Sequence, residues 1–314
     1  MSNILVTGGS GFIGSHIIDA LKEEKHNVYN MDVVKPSDNT NYVNINLNDT
    51  GSIINFLKEN SIEYVYHIAA IANARRSIED VVETMDVNVK GTASLLLACS
   101  EANIKKVILA STVWVYNAVD KNNDKIGEKI YLDETANIKP ECGGHFYTTS
   151  KLVSEFLCQD FRSLKKLNFT ILRYGIPYGP RMWKGLVLRS FTENALTQKP
   201  LNIVGDGSAK RRFVHIKDLA RAHVMSLSEK ADNQIFNLEG SSDTTIKELA
   251  DLVSKYIPGT EINYITDETR KGELSVDNSE ITNSKAKKIL GWEPTISIEE
   301  GVEGYVNYFK KLSS

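Results

Sequence analysis

Tyr147 and Lys151 stand four residues apart in HFYTTSKLVSEF, residues 145–156. On a helix that interval puts both side chains on one face. An ammonium beside a phenol favours the phenolate, lowers the tyrosine pKa and makes it a usable acid or base near neutrality. Of 13 tyrosines only Tyr147 has a lysine four places on, a pair that chance alone could supply. Spacing by itself therefore leaves open whether this is a proton-transfer device or an accident of a helix entrance.

A second group of residues is more specific. TGGSGFIGS places Gly8, Gly9, Gly11 and Gly14 directly after the strand-like run NILVT and at the opening of a helical pattern. Glycines there allow a tight turn, close approach of backbone to a pyrophosphate and a helix packed hard on the sheet, while the helix N-terminus offers positive dipole. Asp32 ends the next strand-like run, near the ~20-residue interval at which a carboxylate meets the adenine ribose hydroxyls. That carboxylate would repel a 2′-phosphate, and its neighbours Val33 and Val34 offer no arginine to hold one. The expected cofactor is NAD rather than NADP.

These residues need a scaffold. The first half of the chain alternates β-branched runs with helical patterns, the signature of a parallel sheet built from βαβ units. Strands are expected at 3–7, up to Asp32, at 42–47, 64–70, 105–112 and 168–174, with a long helix over VNVKGTASLLLACSEAN and another from Tyr147. The fold class is α/β, a Rossmann-type doubly wound parallel sheet with a smaller C-terminal mixed α/β domain. The division expected is 1–174, joined by a returning segment at about 213–240, against 175–212 and 241–314, with hairpin-like pieces such as LNIVGDGS in the smaller part. The stretch 117–144 is long for a connection and reads as a flexible lid or a flap near the site.

In such a sheet ligands lie beyond the carboxyl ends of the strands. Gly8, Asp32, Asn46, Ala69, Ala70, Ser111 and Thr112 fall there. Thr112 is either a hydroxyl capping its strand or a contact for a bound group. Convergence with Tyr147 and Lys151 at the start of the next helix favours the second.

Composition narrows the class. Hydrophobic content of 41% and charged content of 25% in 314 residues are those of an ordinary globular protein. A net charge of −3 gives no reason to expect nucleic acid or an anionic membrane as partner. No apolar run approaches the ~18 residues of a membrane span, and the N-terminus enters a strand and a glycine turn at once, unlike a signal peptide. Cys99, Cys142 and Cys158 form no CxxC and read as reduced thiols of a cytoplasmic protein, with no metal site.

TGGSGFIGSH, HIAA, NVKGT, STVWVY, YTTSK, LRYGIPYGP, GDGSAKRRFVHIKDLA and KKILGWEP occur in the order of the extended short-chain dehydrogenase/reductase superfamily. More narrowly they resemble the NAD-dependent sugar-nucleotide epimerases, with UDP-hexose 4-epimerases the nearest pattern, over residues 3 to about 300. The resemblance implies that Thr112, Tyr147 and Lys151 are catalytic: Tyr147 takes a hydroxyl proton as hydride leaves the same sugar carbon, Thr112 binds that oxygen, and Lys151 also holds the nicotinamide ribose. It implies cofactor contacts from Gly8, Gly11, Phe12, Ile13, Gly14, Asp32, Asn46, Leu47, Ala69, Ala70, Ile71, Asn88, Ser111, Tyr174 and Pro177. Asn88 would order the surroundings of the tyrosine or be a buried structural amide. Arg75, Val113 and Ile176 are expected at the sugar nucleotide, Arg211 and Arg270 at its pyrophosphate, and Glu273 at a ribose hydroxyl. His215 reads as packed between Phe213 and Asp218 rather than as a catalyst. Family members pair through two long helices, here near 89–102 and 149–165, so a homodimer is expected.

Four positions depart from that pattern. Ile176 replaces an asparagine, Arg212 replaces an acidic residue, Asn46 stands for an aspartate, and Ala72 for a lysine of one epimerase subgroup. Val113 and Trp114 occupy the places where 4,6-dehydratases of the group carry an acid pair, and neither transfers a proton. A UDP-glucuronate decarboxylase, a nucleotide-4-ketosugar reductase and a non-catalytic NAD-binding regulator are the alternatives to a 4-epimerase on this scaffold.

Overall fold

The computed structural model describes residues 1–36, 41–119, 130–139, 145–266 and 279–313. The chain opens with β1 (Asn3–Thr7), α1 (Phe12–Glu23), β2 (Asn27–Met31), β3 (Asn41–Val43), α2 (Thr50–Glu59) and β4 (Tyr64–His67). Two short helices, α3 (Ala74–Glu79) and α4 (Val81–Met85), lead through a π turn at Asp86–Lys90 into α5 (Gly91–Glu101) and β5 (Lys106–Thr112). After β6 (Ile130–Leu132) come α6 (Phe146–Lys165), β7 (Asn168–Tyr174), β8 (Ile176–Tyr178), α7 (Val187–Leu196), β9 (Leu201–Val204) and β10 (Lys210–His215). The chain closes with α8 (Ile216–Met225), β11 (Gln234–Leu238), β12 (Asp243–Thr245), α9 (Ile246–Tyr256), β13 (Ile262–Ile265), β14 (Ser279–Ile281), α10 (Ser284–Leu290) and α11 (Ile298–Ser313).

Seven strands form one sheet in the order β11-β7-β5-β4-β1-β2-β3, every neighbour parallel. The direction of winding reverses at β1, so the crevice for a ligand opens beside the carboxyl ends of β1 and β4. Central β5 is buried at all seven positions, as a strand covered by helices on both faces must be. The two faces carry separate cores. Ile4, Val6, Ile17, Tyr66 and Leu172 pack on the face of α1 and α8, and Leu5, Ile53, Leu95, Val107 and Phe169 on the face of α2, α5 and α6.

A smaller set of strands lies apart from this sheet. β10 stands between β8 and β12, β9 pairs with β13, and β6 with β14. The hairpin expected at LNIVGDGS is absent: β9 runs parallel to its distant partner β13. Of the segment expected to return at about 213–240, β10 stays in the small sheet, α8 packs against α1, and β11 joins the large sheet beside β7. Strand β3 ends at Val43, short of Leu47, and β4 ends at His67, short of Ala70. Of the stretch expected to be a lid or flap, residues 120–129 and 140–144 lie outside the described residues, as does Cys142.

Candidate active site

The glycine turn is dictated by contact. Gly8 has φ +71°, and a Cβ there would stand 2.7 Å from Ala69 N. A Cβ on Gly14 would stand 2.2 Å from the Gly8 carbonyl oxygen. Gly11 N donates to Gly8 O at 3.1 Å and is the N-cap of α1, where it supplies no side-chain acceptor. The N–H groups of the first turn, at Phe12, Ile13 and Gly14, are therefore left without a side-chain cap and face what lies above the strands. Asp32 stands just beyond β2, its carboxylate accepting from Ser10 N at 2.9 Å and Val34 N at 3.0 Å. Both oxygens keep a lone pair for a further donor. A cradle without Cβ atoms, open helix N–H groups and a fixed carboxylate fit a dinucleotide.

Beyond β4, Ala69 N donates to Thr7 Oγ at 3.3 Å and Ala69 packs on Gly8. Ala70 and Ile71 continue that loop. Asn88 holds it: Oδ1 accepts from Ile71 N at 2.8 Å, and Nδ2 donates to Ile71 O and to Ser150 Oγ, both at 3.0 Å. Asn46 follows β3 and is exposed, its side-chain oxygen accepting from Asn48 N, while Leu47 packs beside Gly91.

Thr112, Tyr147 and Lys151 converge at the end of β5 and the start of α6. Thr112 Oγ accepts from Trp114 N at 3.2 Å, and its side chain neighbours the Tyr147 phenol. Lys151 is buried with Nζ donating to Ala110 O at 2.9 Å. Burial pushes the Tyr147 phenol well above its ordinary value, opposed by the neighbouring Thr112 side chain. Burial also pushes the Lys151 ammonium down, to about 8. The expected lowering of the tyrosine by its lysine is thus overturned for the protein alone: burial disfavours the charged form of both groups.

Trp114 and His145 flank the phenol, and His145 was not singled out in the sequence. The His145 ring stacks on Tyr147 at 6.2 Å between centroids, and Trp114 meets His145 edge-on at 5.1 Å. His145 also caps α6, Nδ1 accepting from Thr148 N at 3.3 Å. An imidazole directly before an amphipathic helix is the one signal that could have marked it.

The remaining expected residues are scattered. Ser111 Oγ turns to Glu155 at 2.5 Å. Tyr174 sits in the core with its hydroxyl 2.7 Å from His223 Nε2. Val113 is buried in a small cluster with Val115, Tyr116 and Leu132. Ile176 and Pro177 lie on β8 opposite Phe213 and Val214. Arg211 lies half-buried on β10, donating to Lys210 O. Arg75 is not gathered with the others: its side chain is 89% exposed and pairs with Glu79 at 3.0 Å. Arg270 and Glu273 lie outside the described residues. Arg212 bridges Asp243 at 2.6 Å and Glu280 at 3.1 Å, so the arginine in place of an acid has carboxylates of β12 and β14 around it. His215 packs edge-on against Tyr178 and caps α8, and burial lowers its pKa to about 4. Among the described residues no group of three or more His, Cys, Asp or Glu is placed to hold a metal, and no helix is long and apolar enough to cross a membrane.

The comparisons agree with this architecture. The model of the NAD dependent epimerase/dehydratase family matches residues 4–238. A UDP-glucuronate 4-epimerase of Thermodesulfobacterium geofontis is 30% identical over 332 residues, covering 99% of this chain and 97% of that protein. A UDP-N-acetyl-alpha-D-glucosaminuronate decarboxylase of Bacillus cytotoxicus is 28% identical over 99% of this chain and 98% of its own. The crystal structure of the Thermotoga maritima UDP-glucose 4-epimerase with UDP-glucose superposes with a TM-score of 0.87 at 31% identity, covering 99% of this chain and all of that one.

Proposed function

This chain belongs to the NAD-dependent epimerase/dehydratase family, and from that premise we propose that it is a nucleotide-sugar 4-epimerase acting on a UDP-hexose. The observation that carries the proposal is the convergence of Thr112, Tyr147 and Lys151 where α6 meets the end of β5, with Lys151 Nζ donating to Ala110 O at 2.9 Å. The chemistry that NAD supplies when bound is reversible hydride acceptance at sugar C4, with return to the opposite face of the 4-keto sugar. Tyr147 removes and restores the C4 hydroxyl proton. Thr112 holds the same oxygen, and the Lys151 ammonium favours the phenolate that Tyr147 must become. Phe12, Ile13 and Gly14 would meet the cofactor pyrophosphate and Asp32 its adenine ribose. Arg211 would meet the nucleotide phosphates of the substrate. Val113 and Trp114, beside Thr112, lack the proton-transfer groups that water elimination needs, which supports epimerisation over dehydration.

The smaller β-strand set and α9 to α11 would form the sugar-nucleotide part, and two copies would pair through α5 and α6, where Leu97 and Phe156 are exposed.

The test is proton NMR of UDP-glucose, UDP-N-acetylglucosamine, UDP-glucuronate and their 4-epimers, each incubated with purified protein and no added cofactor. Interconversion of one pair is the expected result and names the sugar. Loss of carbon dioxide from UDP-glucuronate would replace the proposal with a decarboxylase. Turnover only with a 4-ketosugar and added NADH or NADPH would replace it with a reductase.

A further inference from the structure

We infer that the buried pair Glu155–Arg173 is a positioning unit that keeps Lys151 charged and fixes the strand end carrying Thr112; this rests on the role given to Lys151 above. Glu155 lies one turn beyond Lys151 on α6 and is 4% exposed. Its Oε1 accepts from Ser111 Oγ at 2.5 Å and Arg173 Nε at 3.0 Å, and its Oε2 accepts from Arg173 Nη2 at 2.7 Å. Ser111 and Arg173 are partners in the β5–β7 register. One carboxylate therefore joins α6, β5 and β7 directly beside Ala110, whose carbonyl receives Lys151, and Thr112.

Arg173 is held in turn. Its Nη1 donates to the Tyr116 hydroxyl at 3.0 Å, its guanidinium lies 5.2 Å from the Tyr116 ring centroid, and that hydroxyl donates to Asn237 Oδ1 at 2.8 Å. Stability alone does not account for such a pair, since well-packed apolar residues often do as well. What apolar residues could not supply is negative charge next to a buried ammonium.

The titratable groups acting on Lys151 are Glu155 and Cys158 on its own helix and His67 on β4, with Tyr147 one turn before it on α6 and Arg173 of β7 paired to Glu155. Burial drives His67 down to about 3 and the Cys158 thiol upward, so both are neutral at pH 7. Glu155 is the carboxylate among them and the strongest influence holding the proton on Lys151 against burial. Without it the ammonium would give up its proton nearer neutrality, and the phenolate of Tyr147 would lose its counter-charge.

The test compares wild type, Glu155→Gln, and the double variant Glu155→Gln/Arg173→Met, which leaves no unpaired guanidinium if the single variant fails to fold. Lys151 is titrated by NMR on protein labelled with 13C at lysine Cε, and kcat is measured from pH 6 to 9.5. In both variants Lys151 is expected to titrate at lower pH than in wild type, and the alkaline limb of kcat to move down with it. A displacement of one pH unit, from about 8 to about 7, should lower the ratio of kcat at pH 8.5 to that at pH 7 about fourfold. A folded variant in which Lys151 titrates as in wild type, or in which kcat falls equally at every pH, overturns the inference. If wild type turns over no nucleotide sugar, the proposed function fails, and the Lys151 titration still decides the role of Glu155.

Discussion

Asn88 Nδ2 and Ser150 Oγ lie 3.0 Å apart and join the π turn after α4 to the helix that carries Tyr147 and Lys151. The same amide closes on both backbone groups of Ile71, so one buried side chain organises the loop beside the glycine turn and helix α6 together. Asn88→Ala would leave Ile71 N, Ile71 O and Ser150 Oγ short of partners. Urea denaturation should show a loss of about 2–3 kcal/mol, with kcat reduced in the protein that remains folded. An unchanged midpoint and kcat would mean that the loop is held by other contacts.

Gly14 and Gly304 make a matched pair of helical glycines. A Cβ at Gly14 meets backbone at 2.2 Å, whereas one at Gly304 on α11 meets nothing within 4 Å. Gly14→Ala is expected to yield protein that no longer retains NAD, measured on the heat-released supernatant. Gly304→Ala should retain it and gain about 0.5–1 kcal/mol from helix propensity. Equal behaviour of the two variants would contradict the cradle described here.

Asp32 is expected to set the cofactor. Asp32→Ser removes a charged acceptor for the ribose hydroxyls and the repulsion of a 2′-phosphate. Affinity for NAD should fall about tenfold or more while that for NADP rises, as read by titration calorimetry. A parallel fall for both cofactors would assign Asp32 to the Ser10 and Val34 turn alone.

Four buried histidines tie stability to pH. Burial lowers His16, His215 and His223 to about 4 and His67 to about 3. Below the ordinary value near 6.5 the unfolded chain binds these protons and the folded chain does not, so stability is lost as pH falls from about 6.5. By pH 4.5 the loss should be of order 2 kcal/mol per histidine. Glu239, raised to about 8 by burial, works in the opposite direction between its ordinary value and 8, with one proton against four. Lys151, lowered to about 8, adds a further gain in stability as pH rises from 8 towards its ordinary value. Urea unfolding at pH 4.5, 6.5 and 8 checks the sign; greater stability at pH 4.5 than at 6.5 would refute it.

What could be read in the residues was what local rules govern. The glycine turn declares itself through φ at Gly8 and the space denied at Gly14, and the Tyr147–Lys151 face through helical spacing. Long-range pairing was not legible. Nothing near Glu155 in the chain announces Arg173, because their meeting depends on the register that sets Ser111 opposite Arg173 on adjacent strands. The same holds for Arg212, whose carboxylates come from β12 and β14. Arg75, expected at the sugar nucleotide, stands in solvent beside Glu79. The direction expected for Tyr147 was missed because helical spacing says nothing of burial, and burial is the larger effect there.

The central claim is that one hydride leaves sugar C4 and comes back while Tyr147 handles only the hydroxyl proton. The most direct measurement incubates the UDP-sugar found to be turned over, deuterated at C4, with enzyme in ordinary water. The 4-epimer formed should keep its deuterium at C4, and Tyr147→Phe should form none. Replacement of that deuterium by solvent hydrogen would mean that the carbon is deprotonated rather than oxidised, and would contradict the account.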